Sequence, residues 1–196
     1  MDTLTAIILA AGRSRRLGCD KALLPLAGRR LVELVLGAFE CPGVARRVVV
    51  ANEENAAELS SLLAGRAQVV VNRLPGAEML DSLLVGLGAA GDGAVLVHPV
   101  DHFAVQRAVV EMLLAAWQQA PNDIHQPEVS GHGAHPVLLP AAVAAELRCW
   151  RGQGGLRAFL RERAGRVARH AWADPRLGWD VDDEEGYHRA VGSLGC

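Results

Sequence analysis

Little in this 196-residue chain commits it to an extracellular, membrane or nucleic-acid role. Its four cysteines, Cys19, Cys41, Cys149 and Cys196, are scattered and include no C-x-x-C pair. That pattern fits neither a zinc site nor a disulfide framework, so reduced thiols are expected. Basic residues are not in excess: 20 Lys and Arg stand against 22 Asp and Glu, with a net charge of -2 and a pI near 6.4. A general nucleic-acid binder should be strongly basic, so no nucleic-acid partner is expected. No apolar run approaches the roughly 18 residues of a membrane span, and the opening MDTLTAIILAAGRS has no basic n-region. No membrane partner and a cytoplasmic location follow as expectations. Internal repeats and low-complexity segments are also missing. A hydrophobic content of 51% supports one substantial core but is short for two at this length, so residues 1–196 are expected to form a single domain.

What the chain does have is alternation. Residues 4 to 10 are β-rich and nearly all apolar, as in a central strand covered on both faces. Leu31, Leu34, Val35 and Ala38 then fall on one helical face that stops near Cys41, Pro42 and Gly43. The strand RRVVVAN, a helix through Glu53 to Leu63, the strand AQVVVN, a helix with Leu80, Leu83, Leu84 and Leu87 on one face, and the strand GAVLVHP follow. This order predicts a three-layer α/β/α sandwich, Rossmann-like, with a mostly parallel sheet, right-handed crossovers and ligands at the carboxyl ends of the strands. The second half is less regular. It offers a helix at 105 to 119, two short extended pieces in HQPEVSGHGAHPVLLP, a helix marked by Leu156, Phe159 and Leu160, a strand RVARHAW, and an acidic turn WDVDDEEGY leading to a final helix. Trp172 and Trp179 are expected to pack the late strands.

The first strand feeds a basic, glycine-punctuated loop holding Arg13, Arg15, Arg16 and Lys21, with glycines at 12 and 18. Exposed amides beside Arg and Lys make a cradle suited to polyphosphate, although an isolated basic loop is more often a solvated surface segment. Neither G-x-G-x-x-G nor a Gly-Lys-Ser/Thr follows the strand, so a dinucleotide fingerprint and a Walker A loop are both excluded. The spacing LAAGRSRRLGCDKALLPL, with Gly12, Ser14, Arg16, Gly18 and Lys21, resembles the signature of the MobA-like NTP transferase family, and the double alanine leans toward its molybdenum cofactor cytidylyltransferase branch.

The resemblance continues along the chain. Asn72, Gly76, Met79, Ser82, Leu83, Gly86 and Leu87 look like the family's segment that reads base and ribose, HPVDHF places Asp101 at its metal-binding aspartate, and GHGAHPVLLP is similar to its loop ending in Gly-His-Pro. GQGGLRAFL is similar to the glycine and arginine helix that follows, and WDVDDEEGY to the closing acidic motif. The chain departs from the family pattern at Phe103, Ala134, Asp183, Glu184 and Gly186. The implied nucleotide-binding set is Leu9, Ala10, Ala11, Gly12, Ser14, Arg16, Lys21, Asn72, Gly76, Met79 and Ser82. The implied catalytic residues are Arg16, Lys21 and Asp101; His102, His135 and Pro136 fall to the acceptor, and Asp101 with Asp182 or Asp180 to magnesium.

Nucleotidyl transfer crowds negative charge at the α-phosphate, so cations and a metal must neutralise it as bonds exchange. Magnesium takes oxygen ligands, commonly one or two carboxylates with phosphates and water. Arg16 and Lys21 would then hold the departing pyrophosphate and the α-phosphate, while Arg13 and Arg15 face solvent. Standing alone, Asp101 would be a turn or cap residue, and several of Asp180, Asp182, Asp183, Glu184 and Glu185 simply an acidic helix start. Zinc at His98, His102, His132 and His135 is disfavoured, because His98 and His102 straddle a Pro-containing turn with no helix to fix them on one face. The expected activity is transfer of CMP from CTP to a phosphorylated acceptor such as molybdopterin, with a molybdoenzyme as the implied partner. GTP, a sugar or alditol phosphate acceptor, a non-catalytic nucleotide-binding accessory protein, and an NAD-binding oxidoreductase are the competing readings.

Overall fold

A computed structural model of the chain describes residues 4–12 and 17–194. Strand β1 (Leu4–Leu9) is buried at every position, as its nearly all-apolar run, broken only by Thr5, requires. Leu4, Ala6 and Ile8 face one apolar layer while Ile7 and Leu9 face the other, the period-two alternation of a strand covered on both sides. A small hairpin follows, β2 (Pro25–Leu26) and β3 (Arg29–Arg30), turning through Ala27 and Gly28, both at positive φ. Then come α1 (Leu31–Ala38), β4 (Val44–Ala51), α2 (Ala56–Leu62), β5 (Gln68–Val71), α3 (Met79–Ala90) and β6 (Val95–Pro99). The second half contains α4 (Arg107–Gln119), β7 (Ile124–Val129), β8 (His132–Gly133), β9 (Val137–Leu139), α5 (Ala141–Cys149), α6 (Gly155–Glu162), β10 (Val167–Ala171) and α7 (Glu184–Leu194).

The main sheet runs β10–β7–β9–β6–β1–β4–β5, with β8 paired to β7. Strand β1 pairs in parallel with both β4 and β6, as does β4 with β5 and β10 with β7. The expected mostly parallel sheet is therefore present, interrupted by β9, which runs antiparallel between β6 and β7. Helices α1, α2, α4 and α7 cover one face through residues such as Val35, Leu59, Leu113 and Ala190. Helices α3, α5 and α6 cover the other through Leu83, Leu87, Val143, Leu147 and Phe159. Fully burying each Leu or Ile side chain in these layers contributes roughly 1.5–3 kcal/mol.

The β2–β3 hairpin and a third strand in HQPEVSGHGAHPVLLP, where two extended pieces are expected, escape the pattern reading, as do two further features. Helix α5 is not anticipated, because AAVAAELRC shows only Val143 and Leu147 as large apolar residues and its remaining buried contact is Ala144. Helix α3 approaches β1 and β4 so closely that a Cβ on Gly86 would lie 2.5 Å from Ile7 Cγ2 and 3.0 Å from Val50 Cγ2. A glycine within a helix costs about 1 kcal/mol relative to alanine, and here close packing on the sheet supplies the reason for it.

Candidate active site

The chain leaves β1 for β4 and β5 on one side of the sheet, then returns to β6 on the other side. At such a switch point the carboxyl ends diverge and a crevice opens. The crevice has two compartments that share Ala11, Gly12 and Ala77. The larger, about 310 Å³, is lined by the turns after β4 and β5, with Asn52, Glu53, Glu54, Asn72, Arg73, Leu74 and Gly76. The smaller, about 150 Å³, lies at the ends of β1 and β6, with Leu9, Ala10, Lys21, Met79, Ser82, Pro99, Val100 and Asp101. The candidate nucleotide residues among those described thus share one cleft, whereas Ser14 and Arg16, like Arg13 and Arg15, lie outside the described residues.

Lys21 begins a short 3-10 turn whose N-cap, Asp20, accepts from the Ala22 amide through Oδ1 at 2.8 Å. The Lys21 ammonium donates to Asp182 Oδ1 and, at 3.4 Å, to Asp101 Oδ2. Burial alone would push the Lys21 pKa down, but the hydrogen bond to Asp182 and the charges of Asp101 and Asp182 outweigh it, so the pKa is raised and the group stays an ammonium. The two carboxylates come from distant stretches brought side by side by the Val181 amide, which donates to the Asp101 carbonyl at 3.1 Å. Val181 is itself fully buried, so this acidic segment is anchored in the core. Asp182, and not Asp180, meets Lys21; Asp180 is half-buried and makes no ion pair among the described residues.

Asp101 Oδ1 is buried and without a hydrogen-bond partner among the described residues. An uncompensated carboxylate oxygen at the floor of a cleft is costly unless something cationic or protic meets it. That oxygen and the neighbouring Asp182 form a hard, all-oxygen donor set that fits magnesium. Among the described residues no group of three or more His, Cys, Asp or Glu is arranged to hold a metal, so the protein's share would be the two carboxylates.

Three of the histidines lie near one another without forming a metal-holding group among the described residues. The ring centroids of His98 and His102 are 6.3 Å from one another across the Pro-containing turn, and His135 stands 5.3 Å from His102 and 6.3 Å from His98. His98 is wholly buried against Phe39, with Nε2 2.9 Å from the His102 carbonyl. Burial, followed by the neighbouring imidazoles, holds His98 well below its usual pKa, and burial beside His102 lowers His135 to about 3. His132 is exposed on β8. Of the residues assigned to the acceptor, none of His102, His135 and Pro136 lines either compartment. His135 instead sets Nδ1 3.4 Å from the Val97 carbonyl of β6, and Pro136 is buried.

Pattern reasoning missed two residues that shape the cleft, Asn52 and Asn55. Asn52 is 8% exposed and Asn55 2%, and both sit where β4 gives way to α2. Asn52 Oδ1 accepts from the amides of Glu54 and Asn55, and Asn55 Oδ1 accepts from the Asn52 amide. The signal available was N-E-E-N directly after a buried strand, an arrangement in which asparagines commonly satisfy turn amides. Asn72 behaves similarly: its amide donates to Ser82 Oγ at 3.0 Å while its oxygen accepts from the Leu74 amide.

Four of the departures from the family pattern, at Phe103, Ala134, Asp183 and Gly186, have structural accounts. Phe103 is 4% exposed in the core, and Ala134 is buried with its amide bonded to the Pro127 carbonyl. Asp183 accepts from the Gly186 amide at the start of α7, and a Cβ on Gly186 would approach the Asp180 carbonyl to 2.8 Å.

A parallel-core α/β/α sheet thus carries a cation between two carboxylates at its switch point, an arrangement suited to a phosphate-bearing ligand. The chain belongs to the MobA-like NTP transferase domain family, whose model matches residues 6–168. The 2-C-methyl-D-erythritol 4-phosphate cytidylyltransferase of Cereibacter sphaeroides (strain KD131 / KCTC 12085) is 33% identical over 170 residues, covering 83% of this chain and 68% of that protein. The nicotine blue oxidoreductase of Paenarthrobacter nicotinovorans is 31% identical over 200 residues, covering 96% of each chain. Among solved structures, Rv0371c from Mycobacterium tuberculosis H37Rv superimposes with a TM-score of 0.85 at 22% identity, over 97% of this chain and 98% of that one.

Proposed function

We propose that the chain transfers a nucleotidyl group, CMP from CTP in the first instance, to a small phosphorylated acceptor. An acceptor phosphate oxygen forms a bond to the α-phosphorus of the triphosphate, the bond from that phosphorus to the bridging oxygen breaks, and pyrophosphate leaves with the electron pair. The observation that carries this reading is the Lys21 ammonium held between Asp101 and Asp182 at the carboxyl ends of β1 and β6. Lys21 counters charge on the phosphates, and the backbone of Leu9 to Gly12 lies along the nucleotide. Asp101 and Asp182 would hold magnesium, which when bound neutralises phosphate charge. No side-chain nucleophile is needed, since the acceptor supplies a phosphate oxygen. The cytidylyltransferase relative favours CTP, and the loop resemblance favours molybdopterin as acceptor, with a molybdoenzyme receiving the product.

Pyrophosphate release measured over the four ribonucleoside triphosphates, against molybdopterin, 2-C-methyl-D-erythritol 4-phosphate, and sugar and alditol phosphates, tests the proposal. Turnover should be greatest with CTP and abolished by a chelator; no turnover with any pair at millimolar magnesium would sink it. A second reading rests on the oxidoreductase relative, whose match covers 96% of each protein. It predicts oxidation of NADH or NADPH in the presence of nicotine blue, and no such oxidation removes it.

A further inference from the structure

We infer that Asn55 is a positioning residue that fixes the two described flanks of the basic segment relative to one another, and through them the phosphate-facing backbone and Lys21. This rests on the proposed nucleotidyl transfer. A single side-chain amide carries the geometry: Asn55 Nδ2 donates to the Ala10 carbonyl at 2.9 Å and to Asp20 Oδ2 at 2.7 Å. The two hydrogens of a planar amide nitrogen diverge at a fixed angle, so two acceptors engaged at once are held at a fixed separation. One acceptor is the carbonyl just after β1, and the other belongs to the residue before Lys21. The anchor is rigid in turn, because Asn55 is 2% exposed and its Oδ1 accepts from the Asn52 amide at 3.0 Å. Asn52 adds a single, longer contact one residue along, its Nδ2 lying 3.4 Å from the Ala11 carbonyl.

The chemistry requires an amide. An aspartate at 55 would set a carboxylate against the Ala10 carbonyl and the Asp20 carboxylate, turning two attractions into two repulsions. Asp20 is equally constrained, since Oδ1 takes the Ala22 amide while Oδ2 takes Asn55. With both donors in place, the carbonyl of Ala10 turns toward Asn55, and Ala10, Ala11 and Lys21 line the smaller compartment together. Losing the clamp should therefore weaken the grip on the triphosphate without removing any group that touches it.

The test compares wild type with Asn55→Ser, Asp20→Ala and the double variant, measuring KM and kcat for the triphosphate, the affinity for inorganic pyrophosphate by calorimetry, and thermal unfolding. Asn55→Ser and Asp20→Ala should each raise KM and weaken pyrophosphate binding about tenfold, with kcat changed less than threefold. The double variant should be no worse than the poorer single one, since both cut the same clamp. Unchanged KM and pyrophosphate affinity in a folded Asn55→Ser would overturn the inference, as would fully additive effects. Asp20→Ala decides the matter by the same readouts if Asn55→Ser does not fold. If wild type shows no turnover, the proposed activity fails while pyrophosphate binding still judges the clamp, and wild type that binds no pyrophosphate overturns it as well.

Discussion

Replacing Lys21 with methionine keeps the length of the side chain and removes the charge that holds Asp101 and Asp182 together. The side chains of Lys21, Asp101 and Asp182 are 15%, 22% and 47% exposed, so the cluster is neither a surface pair nor a sealed one. Exposed ion pairs contribute about 0–1 kcal/mol and stripping one partner from a buried pair costs about 3–5 kcal/mol. The exposure of Asp182 discounts its share, leaving an expected loss of about 1–3 kcal/mol in urea unfolding at pH 7, partly recovered by millimolar magnesium. The effect on turnover should be larger. A preorganised cation aimed at developing phosphate charge is commonly worth about 3–4 kcal/mol, so kcat/KM should fall by about 10²–10³ in the pyrophosphate-release assay. A Lys21→Met protein with wild-type stability and turnover would refute the role given to the cluster. The sign of its pH dependence is also fixed. Because the folded pKa of Lys21 is raised, its stabilising contribution is complete below the unfolded value near 10.4 and is lost only as pH rises through the folded value.

Asp101→Asn preserves shape but removes charge from the buried Oδ1. It should lower turnover at least about 10²-fold while leaving CTP binding, measured calorimetrically, within a few-fold; full turnover would show that the carboxylate has no part in the chemistry. Gly86→Val should destabilise by about 1–3 kcal/mol in chemical denaturation, because Ile7 and Val50 are fully buried and leave the new side chain no room; an unchanged midpoint would refute the packing reason for this glycine. Acid should destabilise the fold through His135 and His98. Both have folded pKa values below the unfolded value near 6.5, so their stability is present above that pH and is lost as pH falls toward about 3 for His135, at about 1.4 kcal/mol per pH unit for each proton taken up. Denaturant midpoints between pH 7 and 5 check this, and His135→Gln should flatten the slope.

The alternation of strands and helices was legible because β1, β4, β5 and β6 are short apolar runs and α1 and α3 carry their apolar residues at helical spacing. The meeting of Lys21, Asp101 and Asp182 at one sheet edge followed from parallel topology, which sends every loop after a strand to the same end. Helix α5 was illegible because only Val143 and Leu147 are large apolar residues on its buried face, and the alanines around them mark no face. The histidine cluster was hidden for another reason. His135 reaches β6 only because β9 runs antiparallel between β6 and β7, a pairing that no local periodicity announces.

Asn55 and Asp20 show where pattern reading stops and geometry must take over. Asparagine before a helix reads as a cap, yet Asn55 makes no side-chain cap bond to α2 and spends its amide on Ala10 and Asp20 instead. Asp20 reads as one more acidic residue beside a lysine, yet its carboxylate bonds Asn55 and Ala22, while Lys21 turns to Asp101 and Asp182. Burial, the largest influence on Asp20, raises its pKa against the hydrogen bonds from Asn55 and Ala22, as expected of a carboxylate used to hold backbone in place. Adjacent residues of opposite charge are thus divided between two tasks, Asp20 fixing the segment and Lys21 facing the cleft. That division puts the cation at position 21 on the cleft side, where the carboxylates it pairs with, Asp101 and Asp182, are the two that would meet magnesium and the phosphates; were Asp20 its partner, the charge would be held on the segment instead.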